Sequence, residues 1–240
     1  MKWNKKYDYP TSTRALINGK RHYDVGTEEK LPSVTTILSA TQSEEKKQSL
    51  ANWQARMGKQ NADRIRDISA MRGTSMHTYL EGYIKDERHL DLTALGQEAG
   101  RMADVVIRSG LGDLEEVWGT EVTLYYPGLY AGATDVVGIY NGRESIIDFK
   151  QTNKPKQREW IDDYFTQLAA YAMAHNYVYG TQIQSGIILM CSKDGFFQKF
   201  EVFDKEFQGY MHTFLKKVEQ YYANCTKAPD DHGTKNDQKV

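Results

Sequence analysis

The chain has few of the residues that would cross-link it or anchor it in a membrane. Cys191 and Cys225 are the only cysteines in 240 residues. They stand far apart and neither sits in a CxxC, which excludes a disulfide framework and a thiolate zinc site of ordinary spacing. No stretch approaches the roughly 18 uninterrupted apolar residues of a membrane-spanning helix. Met1-Lys2-Trp3-Asn4-Lys5-Lys6 leads into polar residues rather than an apolar core, so no signal, transit or transmembrane segment is expected. The expected compartment is the cytoplasm, and a phage-encoded origin fits such a chain. Neither sign of charge dominates: 31 basic residues against 32 acidic leave a net charge of −1. That balance excludes a uniformly basic nucleic-acid binder and leaves local patches open. There is no internal repeat. The length allows a sizeable core in one α/β domain or two small ones, and one domain with an added helical part is expected.

What is present falls into helices followed by strands. Residues 1–30 mix aromatics, glycine and charge without a period and read as extended chain and turns. In Leu31-Pro32-Ser33-Val34-Thr35, Ser33 is a candidate helix cap. From Ser43 to Ala70 a Lys-, Gln-, Ala- and Glu-rich run carries Leu50, Trp53 and Met57 at helical spacing. Arg72-Gly73-Thr74 reads as a glycine turn entering a helix on which His77 and Glu81 lie one turn apart. A further helix is expected over 92–108. Strands then follow near Val117 to Tyr126, over Tyr130 to Tyr140 and over Glu144 to Lys150, with Pro127-Gly128 and Asn141-Gly142 as the turns. A helix from Glu159 to Asn176 places Trp160, Tyr164, Gln167 and Tyr171 on one face. Two more strands and a helix from Asp204 to Tyr222 complete the pattern, and a disordered tail is expected over 226–240.

The chemistry is concentrated in Ile146-Ile147-Asp148-Phe149-Lys150. Alternation along a strand points Asp148 and Lys150 to one side, setting a candidate metal ligand beside an ammonium. Composition alone supplies about one Asp-x-Lys in a chain of this length. The acidic and basic pairs Glu28/Lys30, Glu44/Lys46, Glu45/Lys47 and Asp237/Lys239 have the same spacing but lie in polar runs. Only Asp148 ends an apolar strand, where a carboxylate needs a reason. The Asn141-Gly142 hairpin folds the strand of Asp135 back against that of Asp148, so two carboxylates converge. Taken alone, His77 reads first as a satisfied or exposed helical histidine and only second as a ligand, and Gln167 within an aromatic stripe calls for a partner.

Taken in order, His77, Glu121, Asp135, Asp148-x-Lys150 and Gln167-x-x-x-Tyr171 resemble the motifs of the PD-(D/E)xK nuclease superfamily. Within it the chain is similar to the RecB-like exonucleases, on the branch of the mitochondrial genome maintenance exonucleases and their phage-encoded relatives. Leu31-Pro32-Ser33-Val34-Thr35, Arg72-Gly73-Thr74, Lys193-Asp194-Gly195 and the run from Asp148 to Lys156 are further points of similarity, over roughly residues 31–222. Asp135 lacks the proline that the superfamily's label implies. The resemblance implies an α/β (α+β) fold with a restriction-endonuclease-like core, a mixed central sheet flanked by helices and an N-terminal helical region. It places one nuclease domain over 31–225, with the helical part at 31–110 and the sheet core at 114–222. It also implies Mg²⁺, for which Mn²⁺ may be exchanged, and no nucleotide cofactor. With two cysteines the four-thiolate iron–sulfur cluster of some relatives is excluded.

By the same resemblance Asp135 and Asp148 are the main metal ligands, with the backbone carbonyl of Phe149 and His77 completing the shell. Lys150 orients the attacking water and Gln167 fixes Lys150 or the DNA. Tyr171 packs beside the site, and Glu121 and Glu81 stand behind the ligands. The implied activity is hydrolysis of single-stranded DNA by an exonuclease of replication, recombination or repair, with proteins of those processes as partners and no membrane. A structure-specific endonuclease or resolvase is the alternative, and a non-catalytic DNA-binding protein a more distant one. Arg72, Lys154, Lys156, Arg158 and Tyr164 are the candidate DNA contacts. Lys46, Lys47 and Arg56 are candidates for one wall of a channel, and Trp160 for stacking or core.

Overall fold

A computed structural model describes residues 1–227. The first 30 residues, aperiodic in the sequence, hold three of the strands: β1 (Lys2–Trp3), β2 (Thr13–Ile17) and β3 (Lys20–Asp24). β2 and β3 form an antiparallel hairpin across Asn18-Gly19, at φ 51° and 72°. Two successive positive φ values are what an Asn-Gly hairpin turn requires. β4 (Leu31–Pro32) adds a third strand to this small sheet. Ser33 caps α1 (Val34–Ala40) as expected, its Oγ accepting from the Thr36 amide at 3.0 Å.

The expected helical region is two helices, α2 (Glu44–Met57) and α3 (Lys59–Lys85), separated at Gly58, whose φ of 77° no helix accommodates. The expected glycine turn at Arg72-Gly73 is not formed. α3 runs through it, because tertiary contact outweighs the roughly 1 kcal/mol that a helical glycine costs. A Cβ on Gly73 would meet Gln151 Cγ at 3.4 Å, so the glycine lets the helix lie against the strand. α4 (Ala94–Gly110) follows, then β5 (Leu114–Tyr126), β6 (Tyr130–Tyr140), β7 (Arg143–Thr152), α5 (Asp162–Tyr179), β8 (Ser185–Ser192), β9 (Phe197–Phe203) and α6 (Asp204–Lys227). α6 continues past its expected end at Tyr222, and the rest of the expected tail, from 228, lies outside the described residues. Among the described residues no helix is long and apolar enough to cross a membrane.

The main sheet has the order β1-β5-β6-β7-β8-β9. Its β1/β5 and β7/β8 pairs are parallel and the others antiparallel, which makes it the expected mixed sheet flanked by helices. Both faces are covered. On one, Val34 and Ile37 of α1, Phe165 and Leu168 of α5 and Phe207 and Phe214 of α6 bury Val137, Ile146 and Ile188. On the other, Met76, Leu80 and Ile84 of α3 with Ala99, Met102 and Val106 of α4 bury Val136, Ile147, Phe149 and Leu189. Ile146 and Ile147 therefore belong to opposite layers, as strand alternation demands.

At the α5 layer's end, away from the carboxylates, His175 is wholly buried among aromatic rings. The rings of Tyr7, Tyr9, Trp118 and Tyr179 have centroids 4.8, 5.9, 6.0 and 4.7 Å from its own. Thr181 gives its hydroxyl hydrogen to Asn176 Oδ1, so His175 Nδ1 donates to Thr181 Oγ1 at 2.8 Å and Nε2 accepts from the Tyr9 hydroxyl at 3.1 Å. Both nitrogens of the neutral ring are thereby satisfied. Burial, with the Lys6 ammonium nearby, pushes its pKa down to about 4.

Candidate active site

The site lies where the sheet forks. The β6/β7 ladder, started by the Asn141-Gly142 turn, runs from Tyr140↔Arg143 to Val136↔Ile147 and ends there. Beyond it β6 stays paired with β5, while β7 stays paired with β8 as far as Thr152↔Ser192. Asp135 and Asp148 are the first residues past the last rung, one on each lip. The Asp135 carboxylate replaces the missing ladder acceptor, Oδ2 taking the Phe149 amide at 2.6 Å.

His77, on α3, reaches across this opening. Its Nδ1 is 3.3 Å from Asp135 Oδ1 and its Nε2 is 2.8 Å from the Phe149 carbonyl oxygen. Glu121 approaches from β5. Among the described residues, it is the only non-glycine residue inside a strand with a positive φ, 52°, a strained conformation for a glutamate. One ligand atom each from His77, Glu121 and Asp135 lies within 4.8 Å of the others. Asp148 is outside that set: its Oδ2 forms an ion pair with Lys150 Nζ, without the alignment of a hydrogen bond. The aromatic face of Tyr164 lies 5.0 Å from the same ammonium, a cation–π contact.

The charges follow from this crowding. Burial opposes charge on His77, but the Asp135 carboxylate outweighs it and raises the pKa to about 9. Burial also opposes ionisation of Asp135, and the His77 ring overrides it in the downward direction. Asp148 is raised to about 6, chiefly by burial, with Lys150 opposing and Asp135 adding to it. Glu121 is raised to about 7 by burial and by Asp135. Lys150, despite burial, is raised by Asp148 and Asp135 and remains an ammonium. The carboxylates are thus short of positive charge, and two oxygen donors with an imidazole nitrogen fit a divalent ion of the Mg²⁺ or Mn²⁺ kind.

Gln167 finds its partner in its own helix, Nε2 donating to the Tyr171 hydroxyl at 2.9 Å rather than to Lys150. Tyr171 fits under β6 because position 132 is glycine, where a Cβ would stand 2.7 Å from the ring. Both residues, with Glu81, line a cleft of about 510 Å³ that contains His77, Glu121 and Asp135. Glu81 is also paired with Lys85 at 2.5 Å.

The expected DNA contacts fare unevenly. Arg72 is corrected: it is 2% exposed, and it donates to Gln151 Oε1 at 2.8 Å, Glu98 Oε1 at 3.0 Å and Asn153 Oδ1. It binds α3 to α4 and to the end of β7, and its burial keeps it out of reach of a phosphate. Arg158 is engaged with Glu206 at 2.7 Å and the Glu201 carbonyl at 3.0 Å. Lys154 is exposed, Lys156 is half-buried with its amide on Gln198, and Trp160, 60% exposed, is not core. Lys46 pairs with Asp163 at 2.6 Å and Lys47 with Glu44 at 2.7 Å. Sequence reading missed Arg14 and Arg21, which line the cleft from the β2/β3 hairpin. The one signal in the sequence was the Asn18-Gly19 turn itself.

No protein-family model matches the chain. It is 28% identical over 201 residues to mitochondrial genome maintenance exonuclease 1 of Mus musculus. The proteins of the same name from Xenopus tropicalis and Homo sapiens are each 29% identical, over 200 and 205 residues. The alignments cover 80%, 79% and 80% of this chain. The chain is similar to these exonucleases over about four-fifths of its length. The resemblance to RecB-like PD-(D/E)xK exonucleases is thereby upheld. The chain spans 59%, 56% and 58% of the length of those mitochondrial exonucleases. A solved structure from Eubacterium rectale, described provisionally as an exonuclease, is 16% identical with a TM-score of 0.49 over 66% of each chain, too slight a likeness to argue from.

Proposed function

We propose that the chain is a metal-dependent deoxyribonuclease that hydrolyses phosphodiester bonds of single-stranded DNA from a free end, in replication, recombination or repair. The observation that carries this reading is the convergence of His77, Glu121 and Asp135 at the sheet fork beside the Asp148–Lys150 pair. The exonuclease names of the mitochondrial relatives support it. His77, Glu121 and Asp135 would hold the ion, with the Phe149 carbonyl and Asp148 alongside. Bound there, a divalent cation supplies neutralisation of the scissile phosphate and a lower pKa for an attacking water. Mg²⁺ is the proposed ion and Mn²⁺ its substitute.

The remaining roles belong to the chain. Lys150 stays protonated and cannot serve as a base; its ammonium donates to the phosphate or the water and opposes the charge that builds in the transition state. Asp148 holds that ammonium in place. The Gln167–Tyr171 pair leaves the Gln167 carbonyl oxygen to orient a water or a sugar hydroxyl in the cleft. A 5′- or 3′-labelled oligonucleotide incubated with Mg²⁺ should shorten progressively, and EDTA should stop it. A covalently closed single-stranded circle should survive. Binding of DNA with no cleavage in Mg²⁺ or Mn²⁺ would overturn the reading, and cutting of the circle would move it to an endonuclease.

A further inference from the structure

The carboxylate side of the cleft has an opposite wall that the nuclease reading leaves unused. Along β2 and β3 the register pairs Arg14 with Tyr23 and Leu16 with Arg21. Directly opposed residues of an antiparallel pair point the same way. Arg14 and Arg21 therefore emerge on one face of the hairpin, and that face lines the cleft that holds His77, Glu121 and Asp135. The Arg14 guanidinium lies 5.8 Å from the Tyr23 ring centroid, and the ring itself is buried.

The hairpin is fixed in this position. The Arg21 carbonyl oxygen accepts from the Ser33 amide at 3.0 Å and from the Thr36 hydroxyl at 2.9 Å. Ser33 in turn bridges to Ala131 of β6, four residues before Asp135. The arginines are thus held on the same strand assembly as the reacting centre. Both are exposed, and among the described residues neither forms an ion pair, although Glu81, Glu121 and Asp135 line the same cleft. Arg72 and Arg158, by contrast, are consumed by internal acceptors.

Two free guanidinium groups across a cleft from the reacting centre suit a polyanion whose charges repeat along its length. Arginine presents a planar fork that matches phosphate oxygens. We propose that Arg14 and Arg21 are a phosphate clamp, gripping backbone phosphates of the single strand that flank the scissile one, and so act as substrate-binding residues. The clamp rests on the nuclease reading for its substrate class. It assigns the N-terminal hairpin as the wall against which the strand is pressed.

The test is binding of a fluorescein-labelled 20-nucleotide single strand by the full chain in EDTA, read by anisotropy over a salt series. A single-strand phosphate contact contributes about 0.7 to the slope of log K against log salt. Arg14→Gln with Arg21→Gln should flatten the slope by about 1.4 and weaken binding roughly tenfold or more at low salt. Lys30→Gln, an exposed charge outside the cleft, should leave both unchanged. Arg14→Lys with Arg21→Lys should restore most of the slope, which excludes a folding defect as the cause. An unchanged slope in the double glutamine variant overturns the clamp. Cleavage in Mg²⁺ is scored separately. Cleavage by the unaltered chain with an unchanged slope in the variant removes the clamp and leaves the nuclease. A flattened slope with no cleavage by the unaltered chain removes the nuclease and leaves a nucleic-acid clamp.

Discussion

His77 and His175 are both enclosed by the fold, yet one is held charged and the other neutral. Desolvation disfavours the imidazolium in both places. At His77 a carboxylate 3.3 Å away reverses the outcome and raises the pKa to about 9. At His175 four aromatic rings and a nearby ammonium offer no counter-charge, and the pKa falls to about 4. The residue type is the same; the neighbours decide whether it is a cationic partner for acids or a neutral hydrogen-bonding wedge. One region spends its polar groups on a concentration of charge, the other on packing.

The contrast is broken most strongly by changing what each region supplies. Lys150→Ala should lower turnover of a single-stranded oligonucleotide roughly 100- to 1,000-fold, because a preorganised charge at the reacting phosphate is lost. Its melting temperature should fall by less than a core truncation costs, because Asp148, left without its buried partner, can take up a proton. His175→Ala should do the reverse. It should destabilise the fold by roughly 2–4 kcal/mol, through a cavity and two unsatisfied partners, with turnover at temperatures below melting kept. Equal losses of activity in both variants would abolish the division of labour.

Acidity sharpens the comparison. His175 is folded-state neutral, so the unfolded chain binds its proton more tightly; the stability it gives is complete above pH 6.5 and is lost as pH falls toward 4. The window is worth on the order of 3 kcal/mol in urea titrations, and His175→Gln should shrink it. His77 has the opposite sign. Its contribution is complete below pH 6.5 and is lost as pH rises through about 9; it is smaller, on the order of 1–2 kcal/mol, because part of the ring meets solvent. The smallest effect is a linkage between the two ions that compete for the His77 ring. Mn²⁺ needs it deprotonated, so the melting shift that Mn²⁺ produces should be larger at pH 8.5 than at pH 6.5, by roughly 2–4 °C. A shift independent of pH would remove His77 from the ion's ligands.

The sheet core was legible because its signals are local. Asn141-Gly142 specifies a turn, and a turn specifies a register, which is enough to set Asp135 opposite Asp148. Ser33 as a cap was legible for the same reason. What was not legible depends on residues distant in sequence. Gly73 looked like a breaker because its propensity is local and its compensating contact, Gln151, is not. Arg72 looked like a surface cation because Glu98 and Asn153 become its neighbours only on folding. Glu121 resembles any outward strand residue; its left-handed backbone, which turns it toward His77, has no signature in an alternating pattern. The N-terminal hairpin is a different case, since Asn18-Gly19 carried the same signal as Asn141-Gly142 and the absence of an apolar alternation around it hid the strands.

The main sheet is edged by β1, a strand of two residues at the very start of the chain. Asn4 donates to Glu116, 112 residues later, and the Trp3 indole donates to the Ile84 carbonyl. Contacts of such long range cost loop-closure entropy before they stabilise anything. The beginning of the chain is therefore held in place by β5 and α3 rather than by its own local structure. The Arg14–Arg21 wall hangs between that fastening and Ser33, so the second side of the cleft depends on contacts made far away in sequence. A chain that lost them would keep its acids assembled and have less to press a strand against them.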